Sequence, residues 1–142
     1  MSNGKKVLIV DDDRDLVDIL TIVLEGRGYA VARAYDGPEA LAAVDRERPD
    51  LVLLDVMMPE GTEGFHVVWN LRGRQDPYFK SVPIIMLTAI HRETPLRFYP
   101  DARDGTYGAG EYLDVQGFVD KPVEPDALLK EMERVLAAAR NS

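Results

Sequence analysis

The sequence predicts an α/β fold in which helices cover both faces of a parallel, five-stranded sheet. Short apolar runs of strand character alternate along the chain with segments whose apolar residues repeat at helical spacing. Such alternation implies parallel strands joined by right-handed crossovers. The runs are also continuously apolar, which is typical of parallel strands that are buried on both faces.

Five runs are candidates for the strands, and the fifth is shorter than the others. They are short and apolar, with Val or Ile in each of the first four, as buried strands usually are. In chain order they are Val7–Val10, Ala30–Ala32, Leu51–Leu54, Pro83–Leu87 and Gly117–Val119.

Four segments between and after these runs have the apolar period of a helix. Their apolar residues are Leu16, Ile19, Leu20, Val23 and Leu24; then Ala40, Leu41 and Val44; then Phe65, Val68 and Trp69; and last Leu128, Leu129, Met132, Val135 and Leu136. Gly26 or Gly28 ends the first segment, and Pro38 and Pro49 bound the second. We expect Trp69 to lie in the core.

The stretch from Ala89 to Gln116 breaks the alternation. It has no sustained apolar period and contains five residues that disfavour helix: Pro95, Pro100, Gly105, Gly108 and Gly110. Interior proline and glycine destabilise a helix by about 3 and about 1 kcal/mol each. We therefore expect an irregular or missing helix between the fourth and fifth strands.

Composition narrows the class of protein. The length of 142 residues and 46% hydrophobic content predict a single domain over residues 1–142, with no output domain after the last helix. Because cysteine is absent, thiolate metal sites and cysteine nucleophiles are excluded. A net charge of -8 argues against direct nucleic-acid binding. The apolar run at the N-terminus is too short for a membrane span or signal peptide, which favours a cytoplasmic protein without membrane contact.

Polar residues follow the predicted strands and should converge on one edge of the sheet. Asp11, Asp12 and Asp13 follow the first strand and Asp55 the third. Thr88 follows the fourth strand, and Asp120 and Lys121 follow the fifth. In an open parallel sheet the functional crevice lies at these carboxyl ends.

Carboxylates crowded at this edge need a counter-charge, since two unit charges roughly 4 Å apart interact by about 4 kcal/mol at an effective dielectric constant of about 20. Mg²⁺ prefers one or two carboxylates together with waters and phosphate oxygens, so Asp11, Asp12 and Asp55 are candidate ligands. A carboxylate can also act as a nucleophile and form an aspartyl phosphate. With Thr88 and Lys121 to bind phosphoryl oxygens, the set suits phosphoryl transfer onto Asp55.

Four motifs in the same order resemble those of response-regulator receiver domains of two-component signalling, chemotaxis regulators among them. They are VLIVDDD at Val7–Asp13, DLVLLDVMMP at Asp50–Pro59, IIMLTA at Ile84–Ala89 and FVDKP at Phe118–Pro122. The resemblance implies a flavodoxin-like, doubly wound sheet with strand order 2-1-3-4-5. It covers nearly the whole chain.

The resemblance also implies a role for each site residue. A sensor histidine kinase or phosphotransfer protein would phosphorylate Asp55, and Asp11 and Asp12 would be the family's acidic pair. The backbone carbonyl of Met57 would complete the Mg²⁺ site. Thr88 would be the switch hydroxyl and Phe118 the switch aromatic. Lys121 would be the family's lysine and would form a cis peptide with Pro122. The downstream partner is unknown; a phosphorylation-dependent homodimer would be one output.

The sequence departs from the family between the fourth and fifth strands. Between Thr88 and Lys121 lie 32 residues, and this segment is longer than is usual in the family by roughly ten residues. Met57 and Ile90 are both apolar, from which we hypothesise a long-lived aspartyl phosphate. Two other functions stay open, a pseudo-receiver that is never phosphorylated and a Mg²⁺-dependent phosphohydrolase that turns over many substrate molecules.

Overall fold

The computed structural model describes residues 4–55, 63–88 and 115–140, apart from the side chains of residues 63–65, 88 and 140. In chain order its elements are β1 (Lys6–Val10), α1 (Arg14–Glu25), β2 (Ala30–Ala34), α2 (Gly37–Glu47), β3 (Leu51–Asp55), α3 (Glu63–Arg72), α4 (Pro77–Ser81), β4 (Ile84–Thr88), β5 (Gly117–Asp120) and α5 (Pro125–Arg140). The short helix α4 is the one element that the sequence patterns did not predict.

The strands form one parallel sheet with the order β2-β1-β3-β4-β5, which confirms the predicted fold class. β3 lies at the centre, between β1 and β4. The prediction of an irregular or missing helix after Thr88 falls on residues 89–114, outside the described residues.

Alternate strand residues face two separate cores, since successive side chains of a strand point to opposite faces. Leu8 and Val10 pack on one face with residues of α2, α3 and α4. Val7 and Ile9 pack on the other face with residues of α1 and α5. All four are fully buried, as their continuously apolar run predicted.

Both ends of α1 are fixed by local chemistry. The carboxylate of Asp13 caps the amino end by accepting a hydrogen bond from the backbone N–H of Leu16. Gly26 caps the carboxyl end, and Gly28 turns the chain toward β2 with a φ of +90°, which L side chains rarely adopt. The helix therefore begins directly after the acidic residues that follow β1.

The structure buries one face of each helix, and the expectation that Trp69 lies in the core was wrong. In α1 the buried positions are Val17, Leu20, Thr21 and Leu24, whereas Ile19 is 56% exposed. In α3 the chain buries Val67, Val68 and Leu71. Trp69 is 37% exposed, beside the ring of His66. A buried helical face is defined by the sheet beneath it, and a partial apolar repeat allowed more than one choice of face.

The edge where the strands begin is closed by hydrogen bonds and ion pairs, among them the pair of Lys6 with Glu47. The hydroxyl of Tyr78 donates to the carbonyl of Pro49 just before β3, at 2.8 Å. The side-chain oxygen of Gln116 accepts from the backbone N–H of Ile84 at 2.8 Å and from Arg72 at 3.0 Å. We call this the amino-terminal edge.

No helix in the described part of the chain is both long and apolar enough to cross a membrane.

Candidate functional site

Three carboxylates meet at the opposite edge, where the strands end. Asp11 follows β1, Asp12 follows Asp11, and Asp55 is the last residue of β3. Because β1 and β3 are neighbours in register, their carboxyl ends lie side by side. One oxygen from each of the three carboxylates lies within 4.8 Å of the other two. We call these three residues the acidic cluster.

Burial divides the acidic cluster into two parts. Asp11 is 0% exposed and Asp55 is 2% exposed, whereas Asp12 is open to solvent. Charged carboxylates are rarely buried unless they are paired, because burial removes their hydration. The two buried acids therefore need partners on the protein, and the exposed one leaves the cluster accessible from outside.

Asp11 is held by contacts on several sides. Its Oδ1 accepts the backbone N–H of Asp13 at 2.9 Å, and its own backbone N–H donates to the carbonyl of Ala34 at 3.2 Å. The first contact shapes the short loop between β1 and α1. The second joins the end of β1 to the end of β2. The carboxylate of Asp11 is thus fixed by the backbone around it.

Lys121 supplies positive charge to both buried acids. Its ammonium group lies 2.9 Å from Oδ2 of Asp11 and 3.3 Å from Oδ1 of Asp55. Burial alone would lower the pKa of Lys121, but the hydrogen bond to Asp11 and the charges of Asp55 and Asp11 outweigh it, so the pKa lies above its ordinary value. Lys121 therefore stays protonated at neutral pH.

The chemistry of this donor set fits a hard divalent cation. Carboxylate oxygens are the ligands that Mg²⁺ and Ca²⁺ prefer, and Mg²⁺ is usually held by only one or two of them. Three carboxylates within 4.8 Å of one another supply that set, with one ammonium group bonded to them. Among the described residues, one ammonium group contacts two of these three carboxylates, and this surplus of negative charge favours a further cation.

The family is decided by a comparison of the whole sequence. Residues 7–133 match the family described as the response regulator receiver domain. The chain belongs to the response-regulator receiver family. This confirms the resemblance seen in the four motifs, and it places the chain among the signalling domains of two-component systems.

Relatives and solved structures agree with this assignment. Over 85 residues the receiver is 49% identical to the DNA-binding response regulator MtrA of Mycobacterium tuberculosis (strain H37Rv), a match that covers 60% of the chain and 35% of that protein. The chain thus matches about a third of the length of such curated relatives.

The structural matches extend over more of the chain. The chemotaxis response regulator CheY4 of Vibrio cholerae has a TM-score of 0.71 at 34% identity, covering 92% of this chain and 98% of that one. A putative response regulator from Chloroflexus aurantiacus J-10-fl has a TM-score of 0.71 at 32% identity, covering 94% and 98%.

The remaining predicted site residues lie on or beyond the neighbouring strands. Thr88 ends β4, where it pairs in register with Asp120 of β5. Phe118 lies on β5 beside Met86 and is half-buried against the core that contains α2 and α3. Met57, Ile90 and the side chain of Thr88 lie outside the described part of the structure. The Lys121–Pro122 peptide is cis, which was expected from the resemblance.

One pair of side chains at this edge was not predicted. The guanidinium carbon of Arg14, the first residue of α1, lies 3.9 Å from the centre of the Tyr35 ring. Tyr35 directly follows β2. The sequence gives little signal of this contact, because Arg14 and Tyr35 are 21 positions apart and neither belongs to an apolar repeat.

Proposed function

We propose that this receiver accepts a phosphoryl group from a histidine kinase or a phosphotransfer protein onto Asp55, with Mg²⁺, and thereby changes its binding to a downstream partner. The observation that carries the proposal is the buried carboxylate of Asp55. It shares the ammonium group of Lys121 with Asp11 and lies beside Asp12. Family membership supplies the class of reaction.

The position of Asp55 favours it as the acceptor among the three acids. It ends the central strand β3, so it lies between the acids that follow β1 on one side and Thr88 on the other. Asp11 is less suited, because one of its oxygens accepts from the Asp13 backbone and the other binds Lys121 at 2.9 Å. The contact of Lys121 with Asp55 is longer, at 3.3 Å.

The transfer itself is a displacement at phosphorus. A carboxylate oxygen of Asp55 forms a bond to the phosphorus atom while the bond between phosphorus and the donor's histidine nitrogen breaks. The bonding pair leaves with the imidazole, and the charge spreads over the phosphoryl oxygens. The ammonium group of Lys121 is placed to pair with one of these oxygens, since it already lies 3.3 Å from Asp55.

Asp11, Asp12 and Asp55 are the residues that would hold Mg²⁺. A bound divalent ion neutralises developing charge on phosphoryl oxygens in such reactions. The protein's own part is to fix the carboxylates: Asp11 is held by its backbone contacts, and Asp55 by its place at the end of β3. The carbonyl of Met57, also proposed as a ligand, lies outside the described residues.

Switching would follow from the charge that phosphorylation adds, about -1.5 to -2 at neutral pH, together with new acceptor oxygens. Thr88 ends the strand next to Asp55, and Phe118 lies on the strand beyond it: β3, β4 and β5 are consecutive in the sheet. We propose that Thr88 binds the phosphoryl group and Phe118 repacks inward. The responding element would be residues 89–116, of which 89–114 lie outside the described residues.

We propose that the phosphodonor protein contacts the exposed face of α1, the helix that begins beside the acidic cluster. Helix α1 begins three residues after Asp11, and it exposes Ile19 by 56% and Ile22 by 73%. Exposed apolar side chains beside a functional site are typical of protein-contact surfaces. An Ile22→Asp variant should therefore lose transfer from a phosphorylated phosphotransfer protein while keeping transfer from a small phosphodonor.

Intact mass measurement tests the proposal. The protein is incubated with Mg²⁺ and acetyl phosphate, beside Asp55→Asn and beside Asp50→Asn, which makes the same chemical change at the other end of β3. We expect one phosphoryl adduct on the wild type and on Asp50→Asn, and none on Asp55→Asn or with the metal chelated. No adduct on the wild type would favour a pseudo-receiver, and continuing release of phosphate would favour a phosphohydrolase.

The wider setting of the receiver remains a set of proposals. The single-domain organisation over residues 1–142, the cytoplasmic location and the absence of direct nucleic-acid contact are expectations from the sequence. DNA binding is part of the name of the mycobacterial relative, and the chain matches only 35% of that protein. A long-lived aspartyl phosphate, expected from Met57 and Ile90, would appear as slow loss of the adduct after the donor is removed.

A further inference from the structure

The pair formed by Arg14 and Tyr35 lies at the same edge of the sheet as the acidic cluster. The backbone N–H of Asp11 donates to the carbonyl of Ala34, which precedes Tyr35, so the ends of β1 and β2 are joined there. Arg14 is three residues beyond Asp11, a separation of at most about 11 Å between Cα atoms even in a fully extended chain. The Cα atom of Arg14 thus lies within about 11 Å of that of Asp11.

The contact holds the guanidinium group in one place. At 3.9 Å from the ring centre it is well within the range of a cation–π interaction. Tyr35 is itself held, because its backbone N–H donates to the carboxylate of Glu39 at 2.9 Å. Arg14 is exposed and Tyr35 is half-buried, so the charged group faces solvent from a supported position.

Arg14 differs from Lys121 in what it contacts. Lys121 bonds directly to two carboxylates of the site. Within residues 4–55, 63–88 and 115–140, Arg14 has no carboxylate within the 4.0 Å of an ion pair, and its contact is with the ring of Tyr35. Its N–H donors are therefore available for an anion that comes from outside.

We propose that Arg14, held by Tyr35, binds the phosphoryl oxygens of the incoming phosphodonor before transfer to Asp55. The inference rests on the proposed function, and it identifies a substrate-binding residue for that reaction. A phosphodonor is an anion that must approach three carboxylates, and a cation at the same edge of the sheet reduces this repulsion. A guanidinium fork also matches two oxygens of one phosphoryl group.

Arg14 gives up no proton in this role. The bond from phosphorus to the donor's oxygen or nitrogen breaks, the bonding pair goes to the leaving group, and the new bond forms to Asp55. Arg14 would release the phosphoryl oxygens as Lys121 takes over one of them near Asp55. Its effect should therefore appear in the capture of the donor and not in the later hydrolysis of the aspartyl phosphate.

The kinetic test measures phosphorylation by acetyl phosphate over a range of concentrations, with the full chain and saturating Mg²⁺. We expect Arg14→Gln to lower the second-order rate constant about fivefold, and Tyr35→Leu about twofold. Arg27→Gln removes the same charge just beyond the other end of α1, and Tyr35→Phe keeps an aromatic ring under the guanidinium; both should match the wild type. The rate of dephosphorylation should be unchanged in all four variants.

A binding measurement gives a second readout that does not depend on transfer. Acetylphosphonate, an analogue that cannot donate its phosphorus group, is added with Mg²⁺ while the side-chain Nε–H resonance of Arg14 is followed by NMR. We expect this resonance to shift on addition of the analogue, and the shift to be weaker in Tyr35→Leu than in Tyr35→Phe.

The outcomes separate this inference from the proposed function. Equal rate constants for Arg14→Gln and Arg27→Gln, or an Arg14 resonance that ignores the analogue, would overturn the role of Arg14 while Asp55 still takes the label. Failure of the wild type to take any label would overturn both. A faster loss of the phosphoryl group in Arg14→Gln would show that Arg14 protects the product and does not capture the donor.

Discussion

The two edges of the sheet satisfy their polar groups in different ways. At the amino-terminal edge polar groups have matching partners: Tyr78 bonds the carbonyl of Pro49, Gln116 bonds the backbone of Ile84, and Lys6 pairs with Glu47. At the carboxyl edge two buried carboxylates, Asp11 and Asp55, share the ammonium group of Lys121. The same strands thus end in matched hydrogen bonds on one side and in a charge imbalance on the other.

The difference separates what stabilises the fold from what the fold is used for. A neutral hydrogen bond contributes about 0.5–1.5 kcal/mol and needs nothing further. A buried carboxylate without sufficient counter-charge is destabilising, and it becomes favourable only when a cation or a phosphoryl group arrives. We therefore expect substitutions at the amino-terminal edge to change stability alone, and substitutions at the carboxyl edge to change stability in a way that depends on Mg²⁺.

The largest expected effect follows removal of the ammonium group at the carboxyl edge. Lys121→Met leaves two buried carboxylates without their shared partner, and breaking a buried ion pair from one side costs about 3–5 kcal/mol. Because the Lys121 side chain is 26% exposed, we expect about 2–3 kcal/mol less free energy of unfolding in urea without metal. Mg²⁺ should restore part of it, since a ligand of the native state stabilises by mass action.

Two further variants sharpen this prediction. Lys80→Met removes an exposed lysine near the amino-terminal edge and should leave the free energy of unfolding nearly unchanged. Lys121→Met combined with Asp55→Asn should be more stable than Lys121→Met alone, because one of the two buried carboxylates that Lys121 contacts has lost its charge. A Lys121→Met protein as stable as the wild type in the absence of metal would contradict the charge imbalance.

A smaller loss is expected from Tyr78→Phe at the amino-terminal edge. It removes the 2.8 Å hydrogen bond to Pro49 and should lower the free energy of unfolding by about 1 kcal/mol at neutral pH, equally with and without Mg²⁺. A loss that varied with Mg²⁺ would mean that the two edges are coupled more strongly than this comparison allows.

The same residue gives a pH dependence of known sign. Burial raises the pKa of Tyr78 to about 12, with Arg48 opposing and Asp50 adding to the shift, so the folded protein favours the neutral phenol. The unfolded chain ionises near its ordinary value of about 10. The stabilisation is therefore complete below about pH 10 and is lost as the pH rises toward 12. The difference in stability between the wild type and Tyr78→Phe should shrink over that range.

Gln116→Ala should have a weaker effect at the same edge. It removes the acceptor of the Ile84 N–H and of Arg72, but Gln116 is exposed, so water can replace part of what is lost. We expect a loss of about 0.5–1 kcal/mol in urea unfolding. Gln116→Glu keeps the accepting oxygen and should lie closer to the wild type; an equal loss in both variants would remove the hydrogen bonds from this account.

The smallest change in stability is expected from Asp12→Asn, which sharpens the role of the exposed acid. Asp12 is open to solvent, so without metal the free energy of unfolding should move by no more than about 0.5 kcal/mol. The added stability on titration with Mg²⁺ should nevertheless fall, because one of three candidate ligands is gone. Unchanged stabilisation by Mg²⁺ would take Asp12 out of the metal site.

Sequence patterns predicted much of this molecule because strand runs and strand ends are local features. The run Val7–Val10 marks a buried strand, and Asp11 and Asp55 follow from where β1 and β3 end. The exposed Ile19 and Trp69 were missed because a helical repeat alone does not select the buried face. The α4 helix is only five residues long, and the contact of Arg14 with Tyr35 depends on tertiary structure.

The central claim is that the charge imbalance at the carboxyl edge exists to receive a phosphoryl group on Asp55. Borohydride reduces an aspartyl phosphate to homoserine, so protein treated with Mg²⁺ and acetyl phosphate, then reduced and digested, reports the acceptor by peptide mass spectrometry. We predict homoserine at position 55, and only in samples that received both Mg²⁺ and the donor. Homoserine at position 11 or 12, or at none of the three, would contradict the account.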